Sequence, residues 1–369
     1  MGETGVSTES LGVGLKDVYR GKKLRMAIIG CGGICATQMQ SLQQLPEVQV
    51  VAGADIHQWR LDALRASFGV TELFTDYRRM LAKVKPDAVT VCTPNGVHAP
   101  AAIASLNAGA HVITEKPMAM TPQECQRMID AARKNKRKLA VGFQYRFHPN
   151  TQMLRRARDE GQFGKVMFVK CQALRRRGIP NWGVFGQKKL QGGGPMIDIG
   201  VHVLEMAHYL MGSPKPVAAS GRTWTYMGDK PSDVVSQWPG WDHKTYTVED
   251  LAVGHIRFAD GAVLQIESSF AAHIEKDVWN FTLMGDRGGC TWDPPTIFTD
   301  RAGTMINSTP AYLPRGDFQT LFDLKLKHFV DAVLHDKPLE APGEAGLAVQ
   351  KIIDGVYRSS SVGREVLIN

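Results

Sequence analysis

The chain has 369 residues, of which 43% are hydrophobic and 22% charged, and a formal net charge of +8. That length exceeds what one compact core usually organises, so two domains are expected in a globular protein of ordinary composition. No apolar run approaches the roughly 18 residues of a membrane-spanning helix, so no membrane partner is expected.

Residues 1–22 are polar and glycine-rich, lack the apolar segment of a secretory signal, and read as a flexible arm. From Leu24 onward strands and helices alternate regularly. The apolar run 26–29 ends in glycines, as a buried parallel strand does. A helix over 37–45 is stopped by Pro46, a second strand covers 48–54, a helix 59–68, and a short strand 73–74. Helix 77–83 leads to a fourth strand over 88–92, ended by Pro94, and helix 99–108 is closed by Gly109. Strand 111–114, helix 122–134 behind the N-cap candidate Thr121, and strand 139–143 complete six strands with crossover helices. This is a doubly wound parallel sheet, the α/β Rossmann arrangement, over residues 23–148.

Past His148 the pattern changes. Helix 151–160 and strand 166–173 precede a glycine-rich stretch and a helix over 196–210. Longer strands follow over 217–226, 247–258, 262–271 and 279–284, two of them joined by the hairpin signal Asp260-Gly261. Helices 318–335 and 343–360 finish the chain. Residues 149–369 therefore read as an α+β domain with a large, open, mostly antiparallel sheet. Ile256 and Phe258 on one strand, with Leu264 and Ile266 on the next, alternate as a half-buried face, and a second copy of the chain is the simplest cover, giving a homodimer or homotetramer.

Six cysteines are scattered along the chain and no Cys/His set has zinc spacing. No metal is expected, and a reducing cytoplasm fits. The basic runs at 133–138 and 155–158 lack the interleaved aromatics of single-strand platforms, so no nucleic-acid partner is expected.

Gly30-Cys31-Gly32-Gly33-Ile34-Cys35 follows a strand and opens a helix, the context of a dinucleotide-binding turn, with Cys35 where a third glycine is usual. Asp55 ends the second strand, where a carboxylate takes the adenosine ribose hydroxyls, and Ile56 and His57 follow it, with no adjacent arginine for a 2′-phosphate. NAD is favoured over NADP. Thr93, Asn95 and His98 lie after the fourth strand, and Glu115 and Lys116 after the fifth, at the sheet edge where such folds bind ligands. Asp198 and His202 share one face of an otherwise apolar helix behind Gly192-Gly193-Gly194-Pro195, and polar groups on a buried helix need a reason to be there.

These residues, together with Thr93-Pro94-Asn95, Glu115-Lys116-Pro117 and Gly142-Phe143, resemble the glucose–fructose oxidoreductase, inositol dehydrogenase and rhizopine catabolism (Gfo/Idh/MocA) dehydrogenases over residues 24–369. The resemblance implies a Rossmann domain plus an open-sheet domain, and hydride transfer between NAD(P) and a secondary alcohol of a sugar, glycoside or cyclitol. It implies His202 as general base, Asp198 as its partner or a substrate ligand, and Lys116 as the cation on the reacting oxygen. It implies cofactor contacts from Gly30, Gly32, Gly33, Ile34, Asp55, Thr93, Asn95, His98, Glu115 and Lys116. Tyr145 and Arg146 leave the sixth strand toward the cleft, and Arg175-Arg176-Arg177 through Trp182 precede the glycine triplet, so Tyr145, Arg146, Arg176 and Trp182 are substrate candidates beside Asp198 and His202. The 175–182 segment looks like that of members acting on glucosides or anhydrosugars, including at C3. Two other outcomes stay open within this resemblance: redox-neutral glycoside cleavage through a 3-keto intermediate with retained NAD, and a non-catalytic sugar or nucleotide sensor, which the presence of both Lys116 and His202 disfavours.

Overall fold

The computed structural model describes residues 23–369; the arm over residues 1–22 lies outside the described residues. Strand β1 (Leu24–Ile29) is almost wholly buried, as the centre of a sheet covered on both faces requires. It is followed by α1 (Gly33–Leu42), β2 (Val48–Ala54), α2 (Gln58–Phe68), β3 (Glu72–Phe74), α3 (Tyr77–Val84), β4 (Ala88–Val91), α4 (Asn95–Asn107), β5 (His111–Thr114), α5 (Pro122–Lys134) and β6 (Leu139–Val141). All six strands pair in parallel in the order β3-β2-β1-β4-β5-β6. The order reverses between β1 and β4, which opens a crevice at the carboxyl ends of those strands. Helix α5 starts where the sequence puts it because Thr121 and Glu124 close a capping box, each accepting the other's backbone N–H at 3.2 Å.

The second half begins with a 3-10 turn at Gln144–Phe147 and α6 (Pro149–Asp159), then β7 (Val166–Leu174) and a short α7 (Lys188–Gln191). A π-helical turn at Met196–Gly200 runs straight into α8 (Val201–Leu210). Then come β8 (Pro216–Trp224), β9 (Leu251–Phe258), β10 (Val263–Ser269), β11 (Val278–Gly285), β12 (Gly288–Thr291), β13 (Thr296–Arg301), β14 (Thr304–Ser308), α9 (Phe318–Leu334), α10 (Gly343–Val362) and β15 (Val366–Leu367). They form a nine-stranded sheet in the order β14-β13-β12-β11-β7-β10-β9-β8-β15, antiparallel throughout except where β7 meets β10. Strands β12 to β14 escape the sequence reading because Gly288 and Gly289 and the largely exposed Thr304–Ser308 carry little alternation.

The structure corrects the sequence reading of the second sheet's apolar face. Ile256, Phe258, Leu264 and Ile266 are all buried within the chain's own core, alongside Val201, Leu204, Ile353 and Val356 of α8 and α10. No second copy is needed to cover them. The opposite face carries Lys170, Gln172, Gln265 and Glu267, with Gln172 and Gln265 donating to the Glu267 carboxylate at 2.8 and 3.0 Å.

Helix α9 returns to the first sheet. Leu326, Phe329 and Val330 join the cluster of Leu24, Met26, Ile28 and Met39, so the segment after residue 148 helps to close the Rossmann core. No helix among the described residues is long and apolar enough to cross a membrane.

Candidate active site

The glycine turn is built around Gly30, whose φ of +92° suits glycine and whose Cβ would fall 2.7 Å from the Cys92 carbonyl carbon. Any larger residue would push the turn off the loop after β4. The N-cap of α1 is Gly32, which offers no side chain, so the first-turn N–H groups of Gly33 and Ile34 are left for a ligand. Cys35 is buried under the turn and serves the packing role of the usual third glycine. The Asp55 carboxylate accepts from the N–H groups of Cys31 and His57, both at 2.9 Å, which fixes it at the mouth of the turn. Sequence adjacency hid one neighbour: Arg60, in the first turn of α2, reaches back to 3.5 Å from Asp55. These features fit a dinucleotide, with a phosphate on the turn and a ribose on Asp55.

The loop after β4 is shorter than expected. Helix α4 starts at Asn95 rather than at residue 99 and carries Pro100 within it. His98 is therefore a helical, buried residue and not a loop one. Its Nδ1 and Nε2 lie 2.8 Å from the Pro117 and Thr93 carbonyls, which ties the β4 and β5 loops together. Asn95 donates to the Gln191 carbonyl at 2.9 Å. Thr93 keeps a buried hydroxyl without a partner.

Glu115 is also engaged internally. Its carboxylate accepts from Lys325 of α9 at 2.7 Å and from Gln38 of α1 at 2.6 Å. Burial alone would raise its pKa; the Lys325 ion pair outweighs burial and holds the carboxyl below its ordinary range. Sequence reasoning missed Lys325 because its partner lies 210 positions away.

The next residue, Lys116, points across the crevice to the second domain. Its Nζ donates to the Asp198 carboxylate at 3.0 Å and to the Asp198 carbonyl at 2.8 Å. Asp198 sits in the π-helical turn, and His202 follows in the first turn of α8. The sequence reading put both on one continuous α-helix; the structure instead widens the helix at Asp198, as often happens at functional sites. The turn is held from outside by Glu249. Its buried carboxylate accepts from Gly194 at 2.9 Å, Met196 at 3.3 Å and the Tyr357 hydroxyl at 2.8 Å. Burial pushes the Glu249 carboxyl up, and the Tyr357 and backbone donors pull it back. A side chain at Gly194 would meet the Glu249 carbonyl at 2.3 Å, so the glycine triplet lets this brace close.

His202 is buried, and its Nδ1 has no hydrogen-bond partner. Burial, then the cations of Lys116, Lys325 and Arg175, push the imidazole well below its ordinary value, so the ring is neutral at physiological pH. Tyr145 packs edge-on against it at 5.0 Å between ring centres, and Trp279 lies at 5.8 Å. Burial raises the Tyr145 hydroxyl, with Arg175 opposing.

Among the arginines the structure departs from the sequence reading. Arg146 turns inward: it is 3% exposed, donates to Glu205 at 2.8 Å and to the Glu340 carbonyl at 2.7 Å, and stacks on Tyr209. Its long side chain follows the 3-10 turn into the core, which no local pattern announces. Arg176 points outward, its guanidinium donating to the Glu275 carbonyl at 2.8 Å. Its neighbour Arg175, just past the end of β7, turns its charge toward Asp198 and Tyr145 instead, with its backbone N–H on the Ser269 carbonyl and its guanidinium on the Gly178 carbonyl. Trp182 is 48% exposed and packs on Phe185 and Trp238.

A family model described as "Oxidoreductase family, NAD-binding Rossmann fold" matches residues 24–143, and the GFO/IDH/MocA C-terminal domain matches residues 151–291. The chain belongs to the Gfo/Idh/MocA oxidoreductase family. It is 36% identical to D-glucoside 3-dehydrogenase of Escherichia coli (strain K12) over 95% of this chain and 99% of that protein. It is 27% identical to myo-inositol 2-dehydrogenase of Thermotoga maritima over 88% of this chain and 92% of that protein. A solved structure of levoglucosan dehydrogenase in complex with NADH shares the fold, with a TM-score of 0.82 at 23% identity over 94% of this chain and all of that one. The protein is thus an NAD-dependent oxidoreductase of this family.

Proposed function

We propose that the protein oxidises a secondary alcohol of a glycoside, with C3 of a glucoside as the leading position, and passes the hydride to NAD. The observation that carries this reading is the neutral, partnerless His202 imidazole beside the Lys116–Asp198 pair. A carbinol can give up a hydride only as its hydroxyl proton leaves. His202 accepts that proton, and the Lys116 ammonium, freed in part from Asp198, stabilises the oxygen as it gains negative charge. Asp198 keeps the lysine aimed and accepts a neighbouring sugar hydroxyl. When bound, the nicotinamide supplies the hydride acceptor. The carbon–hydrogen bond and the oxygen–hydrogen bond break, a carbonyl forms, and NADH and one proton are the other products.

Tyr145 and Trp182 are the side chains we expect to meet the sugar; Trp182→Ala should raise KM for a cyclic sugar while leaving NAD affinity nearly unchanged. The relative named D-glucoside 3-dehydrogenase supports the substrate class by its identity over nearly the whole chain. The six unpaired cysteines fit a reducing cytoplasm as the compartment. A dimer or tetramer assembled through the outer face of the nine-stranded sheet is expected, and light scattering reads it directly.

The deciding experiment follows NADH absorbance with excess NAD and a panel of glucosides, anhydrosugars and inositols. NADH formed in proportion to a keto product supports the dehydrogenase. Release of free aglycone without NADH would replace it by redox-neutral cleavage with retained NAD, and silence toward every sugar would overturn both.

A further inference from the structure

The loops beyond the catalytic residues carry an aromatic group of which the reading above uses only Trp182. Trp182 and Trp238 meet at 4.8 Å between ring centres and 89°, and Phe185 packs on Trp182 at 6.1 Å and 72°. The two loops are tied together, since Asn181 donates to the Pro239 carbonyl at 2.8 Å. None of the three rings joins the hydrophobic core, although an indole gains most of its burial energy there.

Arg175 connects this corner to the reaction site. Its backbone is pinned to β10 by a 3.0 Å bond to the Ser269 carbonyl, and its Nη1 donates to the Gly178 carbonyl at 3.0 Å. The guanidinium lies 4.9 Å from the centre of the Trp238 ring. The same charge also bears on Asp198 and Tyr145. One buried-to-surface step, with Arg175 as its middle, thus leads from Asp198 to an indole corner at the surface.

We propose that Trp182, Phe185, Trp238 and Arg175 form an outer subsite for the aglycone of a glycoside, and that the preferred substrate carries a flat apolar ring there. This rests on the glycoside reading above. With the reacting carbinol held between Lys116 and His202, the rest of the molecule must point out of the crevice, and the path runs past Arg175. Two perpendicular indoles give a ring one face to stack on and one edge to abut, and the guanidinium offers its remaining donors to the oxygen that joins sugar and aglycone.

The test compares kcat/KM for phenyl and methyl glucosides, both anomers, in the wild-type chain, Trp238→Ala and Trp238→Phe. The wild type should prefer the phenyl glycoside by about tenfold, the size of one good stacking contact. Trp238→Ala should bring that ratio close to one, and Trp238→Phe should restore most of it. A ratio near one in the wild type, or one that Trp238→Ala leaves intact, overturns the subsite while the methyl glycoside still reports turnover. If light scattering shows that Trp238→Ala changes the assembly with the ratio preserved, the corner is a contact between copies instead. If neither glycoside yields NADH, the glycoside reading itself fails and the subsite with it.

Discussion

A histidine serves as a base only while neutral, and an ordinary imidazole is half protonated near pH 6.5. His202 escapes that limit because it is buried and faces three cations, so acid must go well below the ordinary value before it is charged. His202→Ala and Lys116→Ala should each lower turnover on the order of a hundredfold or more, the usual worth of acid–base help, with NAD binding retained. Stopped assays of NADH formation alongside calorimetric titration of NAD separate the two effects. Near-native turnover in either variant would reduce that residue to a structural part. At the cofactor end, Asp55 is fixed by two backbone donors and should repel a 2′-phosphate. NAD(H) should therefore bind more tightly than NADP(H), and Asp55→Ala should narrow the gap by leaving Arg60 without its partner. Tighter NADP(H) binding by the unaltered protein would show that Arg60, not Asp55, governs this end of the crevice.

The elements carry the site through long-range ties. Helix α9, some 200 positions downstream of β5, places Lys325 on Glu115 inside the Rossmann core. Removing one partner of a buried pair leaves the other charge unpaired and costs roughly 3–5 kcal/mol. Lys325→Met should therefore lower the unfolding free energy by about that amount, read from the denaturant midpoint, whereas the double change Lys325→Met with Glu115→Gln should recover part of it. If Lys325→Met is neutral, the pair is not what closes α9 on the sheet. The π-helical turn depends in the same way on Glu249, whose loss would leave the Gly194 and Met196 N–H groups without an acceptor.

At the scale of the whole molecule, buried histidines set the response to acid. Burial lowers His111 and His208 to about 4, so the folded chain refuses protons that the unfolded chain accepts below about 6.5. Their contribution is present above that value and is lost as pH falls toward 4. Glu205 acts in the opposite sense. Burial raises it to about 7 against the pull of Arg146, so its contribution declines as pH rises through 7. The two histidines outweigh the one carboxyl, so the melting temperature should hold near neutrality and fall between about pH 6.5 and 4.5. A flat profile across that interval would mean that these histidines take up protons in the native state.

The sequence by itself determined the two-part architecture, because the periods of apolar residues and the glycine and proline stops are local properties. Boundaries of β2, β5 and α5 are read correctly for that reason, α5 because its capping box lies within four consecutive residues. Motif order also singled out Lys116, Asp198 and His202. Only the tertiary structure brought Lys116 and Asp198 to 3.0 Å, buried Arg146 on Glu205, turned Arg175 rather than Arg176 toward the site, and wrapped the chain's own helices over the sheet face that alternation left open. Those outcomes depend on partners tens to hundreds of positions away. A single side chain's direction is decided by which distant element closes over it, and no periodicity within a short window encodes that choice.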